Sequence, residues 1–230
     1  MKSTYIIILI FMGAFLSSCK KDTGINSTVG ALNIINATID ANPLAVNYAT
    51  PSLTWSKNTT QIYGSSFMEF GLPQGSNTLN LISSADTTKP FFQGKLNIVT
   101  GGIYSFYVAG QSAHYDTLFM KDNIPSYADS TAEARFINLS PDSQPLSINQ
   151  VGNATPDFTS LAYKKITAFK KYSAISNVTN NGGYNYEVRD AVGNVLTTFN
   201  WNPVVFKNNT LVITGLVGSG SVSVFAVNNF

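Results

Sequence analysis

His114 is the only histidine of the 230-residue chain, and Asp116 follows it at the spacing that puts two side chains on one face of a strand. Together they offer two metal ligands. A catalytic zinc site takes three from the protein, and no second histidine or free cysteine exists to complete the set. His114 therefore reads as an ordinary loop residue, with no metal and no cofactor expected. Asp40 and Asp142 recur at matching places in two similar segments, one carboxylate per turn. Calcium takes about six to eight oxygens, usually from several carboxylates. A structural role fits better, because Asp and Asn side chains bond nearby backbone N–H groups and proline presets the turn. The expected turn motif is Asn36, Asp40 and Pro43 in the first segment, and Asn138, Asp142 and Pro145 in the second.

Hydrolytic chemistry fares no better. Glycosidases need two carboxyl groups about 5–10 Å apart, and nothing in the sequence pairs the three glutamates, Glu69, Glu133 and Glu187. There is no G-x-S-x-G elbow and no phosphate-cradling glycine loop, so no catalytic residue is assigned and a non-enzyme is expected. Aromatic side chains remain. Trp55, Tyr63, Tyr184, Tyr186 and Trp201 could stack on a sugar or peptide or fill a core. Trp55 and Trp201 are the candidate ligand-stacking residues, since Ser56-Lys57-Asn58 and Asn200 with Asn202-Pro203 place them near loops.

One residue does carry a chemical signature. Lys2 is followed by the apolar run 5–15, then Leu16-Ser17-Ser18-Cys19 and Lys20-Lys21-Asp22. A charged start, roughly 7–15 apolar residues and small residues before a cut describe a secretory signal. A membrane-spanning helix would need about 20 apolar residues. The Leu-Ser-Ser-Cys ending resembles the lipobox of bacterial lipoproteins, which implies acylation of Cys19 after removal of residues 1–18. Several acyl chains, each methylene contributing about 0.8 kcal/mol, would hold the protein on a bilayer. The expected location is the outer membrane, facing the exterior. As Cys19 is the only cysteine, the folded part has no disulfide and no thiol chemistry. Asp86-Thr87-Thr88, Asp116-Thr117-Leu118 and Asp129-Ser130-Thr131 resemble a bacterial O-glycosylation acceptor pattern.

Without Lys2 the mature chain carries 13 basic and 12 acidic residues, and its two arginines stand apart. Nucleic-acid binding relies on concentrated positive charge, so that partner class is excluded. Charged residues make up 11% of the chain, against about 25% in a typical soluble domain. Asn, Ser and Thr supply the polarity and favour turns over helix interiors.

These residues must be positioned by a repeated β unit. Residues 31–47 and 133–149 align without gaps, with Ile35, Asn36, Asp40, Pro43, Leu44 and Asn47 falling on Ile137, Asn138, Asp142, Pro145, Leu146 and Asn149. An offset near 100 residues implies tandem domains. Short alternating runs broken by Gly, Asn and Pro predict strands near 29–36, 42–48, 67–72, 76–83, 92–99, 102–109 and 115–120. The second copy gives 133–138, 145–150, 158–163, 172–177, 183–189, 194–200, 209–215 and 221–227. The fold class is all-β: two tandem Ig-like or transthyretin-like antiparallel β-sandwiches. The expected boundaries are a signal over 1–18, a tether over 19–28, sandwiches over 29–122 and 132–230, and a linker over 123–131.

The stretch Ala134-Arg135-Phe136-Ile137-Asn138-Leu139-Ser140-Pro141-Asp142, with Pro145-Leu146-Ser147-Ile148, resembles the opening of domain-of-unknown-function family 4397. The first copy is a degenerate version, with Ala37-Thr38-Ile39-Asp40 in place of Leu139-Ser140-Pro141-Asp142. The resemblance implies bacterial envelope β-sandwiches, commonly in tandem behind lipoprotein signals, and no established activity. The resulting expectation is a non-catalytic, lipid-anchored module that binds glycan or an envelope protein. The alternative is an accessory factor or hydrolase in extracellular polysaccharide or peptide breakdown.

Overall fold

The computed structural model describes residues 28–40, 43–48, 60–61, 64–83, 90, 92–111, 114–126, 129–175 and 183–229. Among them there is no helix. The first half contributes β1 (Val29–Thr38), β2 (Leu44–Asn47), β3 (Thr60–Gln61), β4 (Ser65–Pro73), β5 (Gly75–Ser83), β6 (Phe92–Ile98), β7 (Ile103–Gln111) and β8 (His114–Lys121). The second contributes β9 (Thr131–Asn138), β10 (Leu146–Gln150), β11 (Phe158–Leu161), β12 (Lys170–Ser173), β13 (Tyr184–Arg189), β14 (Val195–Trp201), β15 (Asn208–Thr214) and β16 (Ser223–Asn228). The strands form sheets ordered β4-β1-β7-β8 and β3-β2-β5-β6, then β12-β9-β15-β16 and β11-β10-β13-β14. The second pair repeats the first strand for strand, so the sequence repeat is a repeat of topology. Two features differ from expectation. The two-residue β3 is too short to leave an alternation signal, and each sandwich contains one parallel pair, β1 with β7 and β9 with β15.

Each pair of sheets closes on its own core. Leu32, Ile34, Leu44, Leu79, Leu81 and Phe106 pack the first, which is largely aliphatic. Phe136, Tyr172, Tyr186 and Trp201 make the second aromatic. Ile34 and Phe136, equivalent in the repeat, both point into these cores. Their neighbours Ile35 and Ile137 point the other way, because side chains alternate along a strand.

Those outward faces do not meet water. Ile35, Ala37, Tyr107 and Ala109 of the first sandwich form one buried layer with Ile137, Leu139, Val212 and Val227 of the second. The four sheets therefore stack, with two apolar cores flanking an apolar seam. This explains the parallel pairs. Parallel ladders are found where both faces are covered, and β1, β7, β9 and β15 are buried almost from end to end. The edge strand β14, by contrast, is mostly exposed or half-buried.

The seam also holds a polar network. The Asp122 and Arg135 side chains are 1% and 4% exposed and form an ion pair at 2.5 Å. Ser105 donates to the other Asp122 oxygen at 2.6 Å, and Arg135 Nε donates to Thr210 at 2.8 Å. Thr210 in turn donates to Asn229 at 2.7 Å. The Arg135 guanidinium lies 4.6 Å from the centre of the Phe169 ring. Asp122 immediately follows β8, and Asn208 donates to the Pro125 carbonyl at 2.8 Å. The connection between the halves is thus pinned at both ends of its first turn, and β9 begins inside the segment expected to be linker.

Contacts along the seam set the relative direction of the sandwiches. Thr214, ending β15, donates to the Ala37 carbonyl near the end of β1 at 2.9 Å. Lys164, whose N–H donates to the carbonyl of Asn138 at the end of β9, pairs with Asp116 near the start of β8 at 2.7 Å. Asp122 and Pro125 meet the second sandwich closer to the starts of β9 and β15. The sandwiches stand side by side with like ends together. At the near end Thr28 leads into β1 and accepts a hydrogen bond from Gln74 at 2.7 Å. The far end carries the β1–β2, β9–β10 and β15–β16 connections.

Candidate functional site

The repeated turns sit at the far end, where each first strand stops. Asn36 and Asn138 are fully buried, and both do the same work. The Asn36 carbonyl oxygen accepts from the Thr38 N–H at 3.1 Å, and that of Asn138 from the Ser140 N–H at 3.0 Å. Asn138 also donates to Ser143 and to the Leu161 carbonyl, at 2.8 and 3.0 Å. A side chain that satisfies backbone groups at a strand end stops the ladder there. Pro43 is half-buried just before β2, and Pro145 is exposed just before β10.

The aspartates diverge. Asp142 accepts from the Val217 and Gly218 N–H groups at 2.9 Å each, so it pins the β15–β16 loop, and within its own turn it accepts from the Ser140 hydroxyl at 3.4 Å. A local turn bond was the expectation. The structure adds the longer-range bonds to it, because tertiary packing brings the β15–β16 loop over the carboxylate. Partial burial works to raise the Asp142 pKa, but the Gly218 and Val217 N–H groups outweigh it and hold the carboxyl below its ordinary range. Asp40, exposed, lies near Tyr115, whose pKa is raised first by burial and then by that charge.

The Asp142 pKa predicts a pH effect. A depressed carboxylate contributes stability above its unfolded value, about 3.9, and loses it as pH falls through the lower folded value. The Val217 and Gly218 amide protons should therefore keep their bonded chemical shifts down through pH ~3.9 and change together below it. A transition at or above that value in an NMR titration would contradict the pin.

His114 is exposed at the start of β8, and Asp116 is bound to Lys164 and, at 3.2 Å, to the Tyr163 hydroxyl. Lys164 is the main cause of a lowered Asp116 pKa. Among the described residues no three His, Cys, Asp or Glu side chains cluster closely enough to hold a metal ion.

Trp201 is corrected outright as a ligand-stacking candidate. It is 3% exposed. Tyr184 stacks on it at 6.0 Å, Tyr172 meets it edge-on at 5.2 Å, and its indole N–H donates to Asn209 at 3.1 Å. No ring face is left for a ligand. Trp55, Tyr63 and Cys19 lie outside the described residues, as does Asp86-Thr87-Thr88. In the third acceptor-like tripeptide, the Thr131 hydroxyl donates to Asp129.

Two arrangements had no sequence signal. Asp157 sits beneath the aromatic core, paired with Lys170 at 2.6 Å and accepting from Tyr172 at 3.0 Å and Gln150 at 3.1 Å. Burial works against its charge, but Lys170, Gln150 and Tyr172 outweigh this and keep the carboxyl ionised. Burial pushes the Tyr172 and Tyr186 phenols well above their ordinary range, so both remain protonated donors. The group is an internal anchor. The second arrangement is a cleft of 510 Å³ where the sandwiches meet, lined by Met120, Lys121, Glu133, Arg135, Ile166 and Phe169 among others. It combines apolar walls with both signs of charge.

A family model described as "Domain of unknown function (DUF4397)" matches residues 30–149, more than half of the chain. The match takes in β1–β8 and continues through β9 into β10, so the degenerate first copy falls wholly within it. No curated protein matches the chain. Among solved structures, the C-terminal domain of AlgF from P. aeruginosa aligns at 13% identity over 41% of this chain and 99% of that chain, with a TM-score of 0.32. The CBM26 module CBMbc of Eubacterium rectale Amy13K, in complex with maltoheptaose, aligns at 11% identity over 86% and 96%, with a TM-score of 0.25. The Bacillus anthracis TIE protein aligns at 12% over 82% and 34%, again with a TM-score of 0.25. Overlaps this loose carry no inference about ligand or partner.

Proposed function

Because the chain belongs to the DUF4397 family, whose description assigns no activity, we propose that it is a non-catalytic, lipid-anchored envelope module that binds glycan or protein partners. The observation that carries this reading is how four of its aspartates are used. Asp122 holds the seam, Asp142 holds a loop, Asp157 anchors four polar partners and Asp116 bridges the sandwiches. Each charge is committed to architecture. A hydrolytic carboxylate must instead be available to substrate, with a pKa near its operating pH.

The Leu16-Ser17-Ser18-Cys19 ending supports an exported and acylated protein in the outer membrane. The far-end loops and the cleft between the sandwiches would meet partners. Envelope pull-down and glycan-array binding by the acylated protein test the reading. Capture of a defined glycan or envelope protein, unaffected by Asp157→Asn, is the expected result. Turnover of an envelope polysaccharide or peptide that Asp157→Asn abolishes would overturn it.

A further inference from the structure

Among the described residues, the large apolar side chains left exposed are not spread evenly: apart from Phe70 on the edge strand β4, they lie at the two ends. Val99 lies in the near-end β6–β7 turn, beside Thr28 and Val29, and Gly101 donates to the Val29 carbonyl at 2.8 Å. Val151, Ile175, Val204 and Phe206 occupy the near-end connections of the second sandwich. The far end shows Val192 and Val195. Single exposed apolar residues are ordinary. Five at the end from which the chain leads back toward Cys19 are a pattern.

Phe206 strengthens it. The residue is 57% exposed and has φ +64°, a conformation costly for an aromatic residue. Its N–H donates to the Thr131 carbonyl at 2.9 Å, and the Lys207 N–H closes the turn on the Val204 carbonyl at 2.9 Å. Val204 is 58% exposed beside it. A pinned, strained turn thus holds two apolar side chains in solvent, next to the exposed Lys207. Lys121, also exposed, sits at the same end. Apolar side chains with neighbouring lysines match the boundary between acyl chains and phosphates.

We propose that the near end of both sandwiches is a bilayer-docking face, seating Phe206, Val204 and Val99 at the headgroup boundary with Lys207 and Lys121 toward lipid phosphates. This rests on the acylation of Cys19 proposed above. Only residues 20–28 separate Cys19 from β1, a span of at most ~36 Å when fully extended. The near end is therefore the part of the fold held against the lipid surface.

The test uses the full acylated protein in phosphatidylethanolamine–phosphatidylglycerol vesicles. A nitroxide is placed at Val204→Cys, or at Val192→Cys on the far end, since the native chain has no cysteine besides Cys19. Power-saturation EPR should show severalfold more collisions with oxygen than with a water-soluble nickel chelate at position 204. The ratio should invert at position 192, and Phe206→Asp should move the 204 label into water. If intact mass shows Cys19 acylated but the 204 label reports water, docking is overturned while the anchor stands. If Cys19 carries no acyl mass, the anchor reading falls and the docking falls with it. An immobilised 204 label shielded from both reagents, with crosslinked dimers, would place a second copy on this face and overturn the bilayer assignment.

Discussion

Asp122→Ala is expected to destabilise the protein by about 3–5 kcal/mol. The substitution leaves the Arg135 charge unpaired inside the seam, where its side chain is 4% exposed. The Arg135 bond to Thr210 survives, but the terminal nitrogen and the Ser105 hydroxyl both lose their acceptor. Removing the second partner reverses most of the loss. The double variant Asp122→Ala with Arg135→Met strands no charge, so it should be more stable than Asp122→Ala alone. Equilibrium urea unfolding of the four corners of this cycle gives the coupling. A single-variant cost below about 1 kcal/mol, the range of exposed pairs, would show that water reaches the seam. Because the pair joins the end of β8 to the middle of β9, its loss should also loosen the sandwiches from one another.

Phe136→Ala should cost a similar amount, about 3–5 kcal/mol, for a different reason. The ring is fully buried at the centre of an aromatic cluster, edge-on to Tyr186 at 5.5 Å and Phe199 at 6.0 Å, and tilted against Phe158 at 5.4 Å. Truncation removes the burial of a large side chain and several aromatic contacts, each worth about 0.5–1.5 kcal/mol beyond area. The surrounding rings are fixed by Asp157 below and Trp201 beside them, so the cavity has little freedom to collapse. At the equivalent position in the aliphatic core, Ile34→Val removes one methylene and should cost about 0.5–1.5 kcal/mol. A shift in urea midpoint without a change in slope would mark both as stability effects. Equal costs for the two variants would show that the aromatic cluster is loosely packed.

The turn residues show how far local reading reaches. Asn36 and Asn138 act on backbone two residues away, a relation written in the chain itself. Asp142 acts on Val217 and Gly218, about 75 positions later, and no local pattern announces that. Trp201 misleads for a similar reason. Its neighbours are the polar residues of a loop, yet the strand alternation that carries it inward depends on the β13–β14 pairing, which sets Trp201 opposite Tyr184.

What the amino-acid sequence determined alone is the set of short alternating runs, the repeat, and hence nearly every strand and the all-β class. These are local signals, because side-chain period and turn chemistry act within a few residues. Only the tertiary structure decided that Ile35 and Ile137 bury one another's sandwiches, that β1 and β7 pair in parallel, and that Asp122 meets Arg135. Those depend on which face meets which. A strand covered on both sides carries apolar residues at both parities, as Ile34-Ile35 and Phe136-Ile137 do, but which sheet lies on each face is a property of neighbours that the chain brings together only by folding.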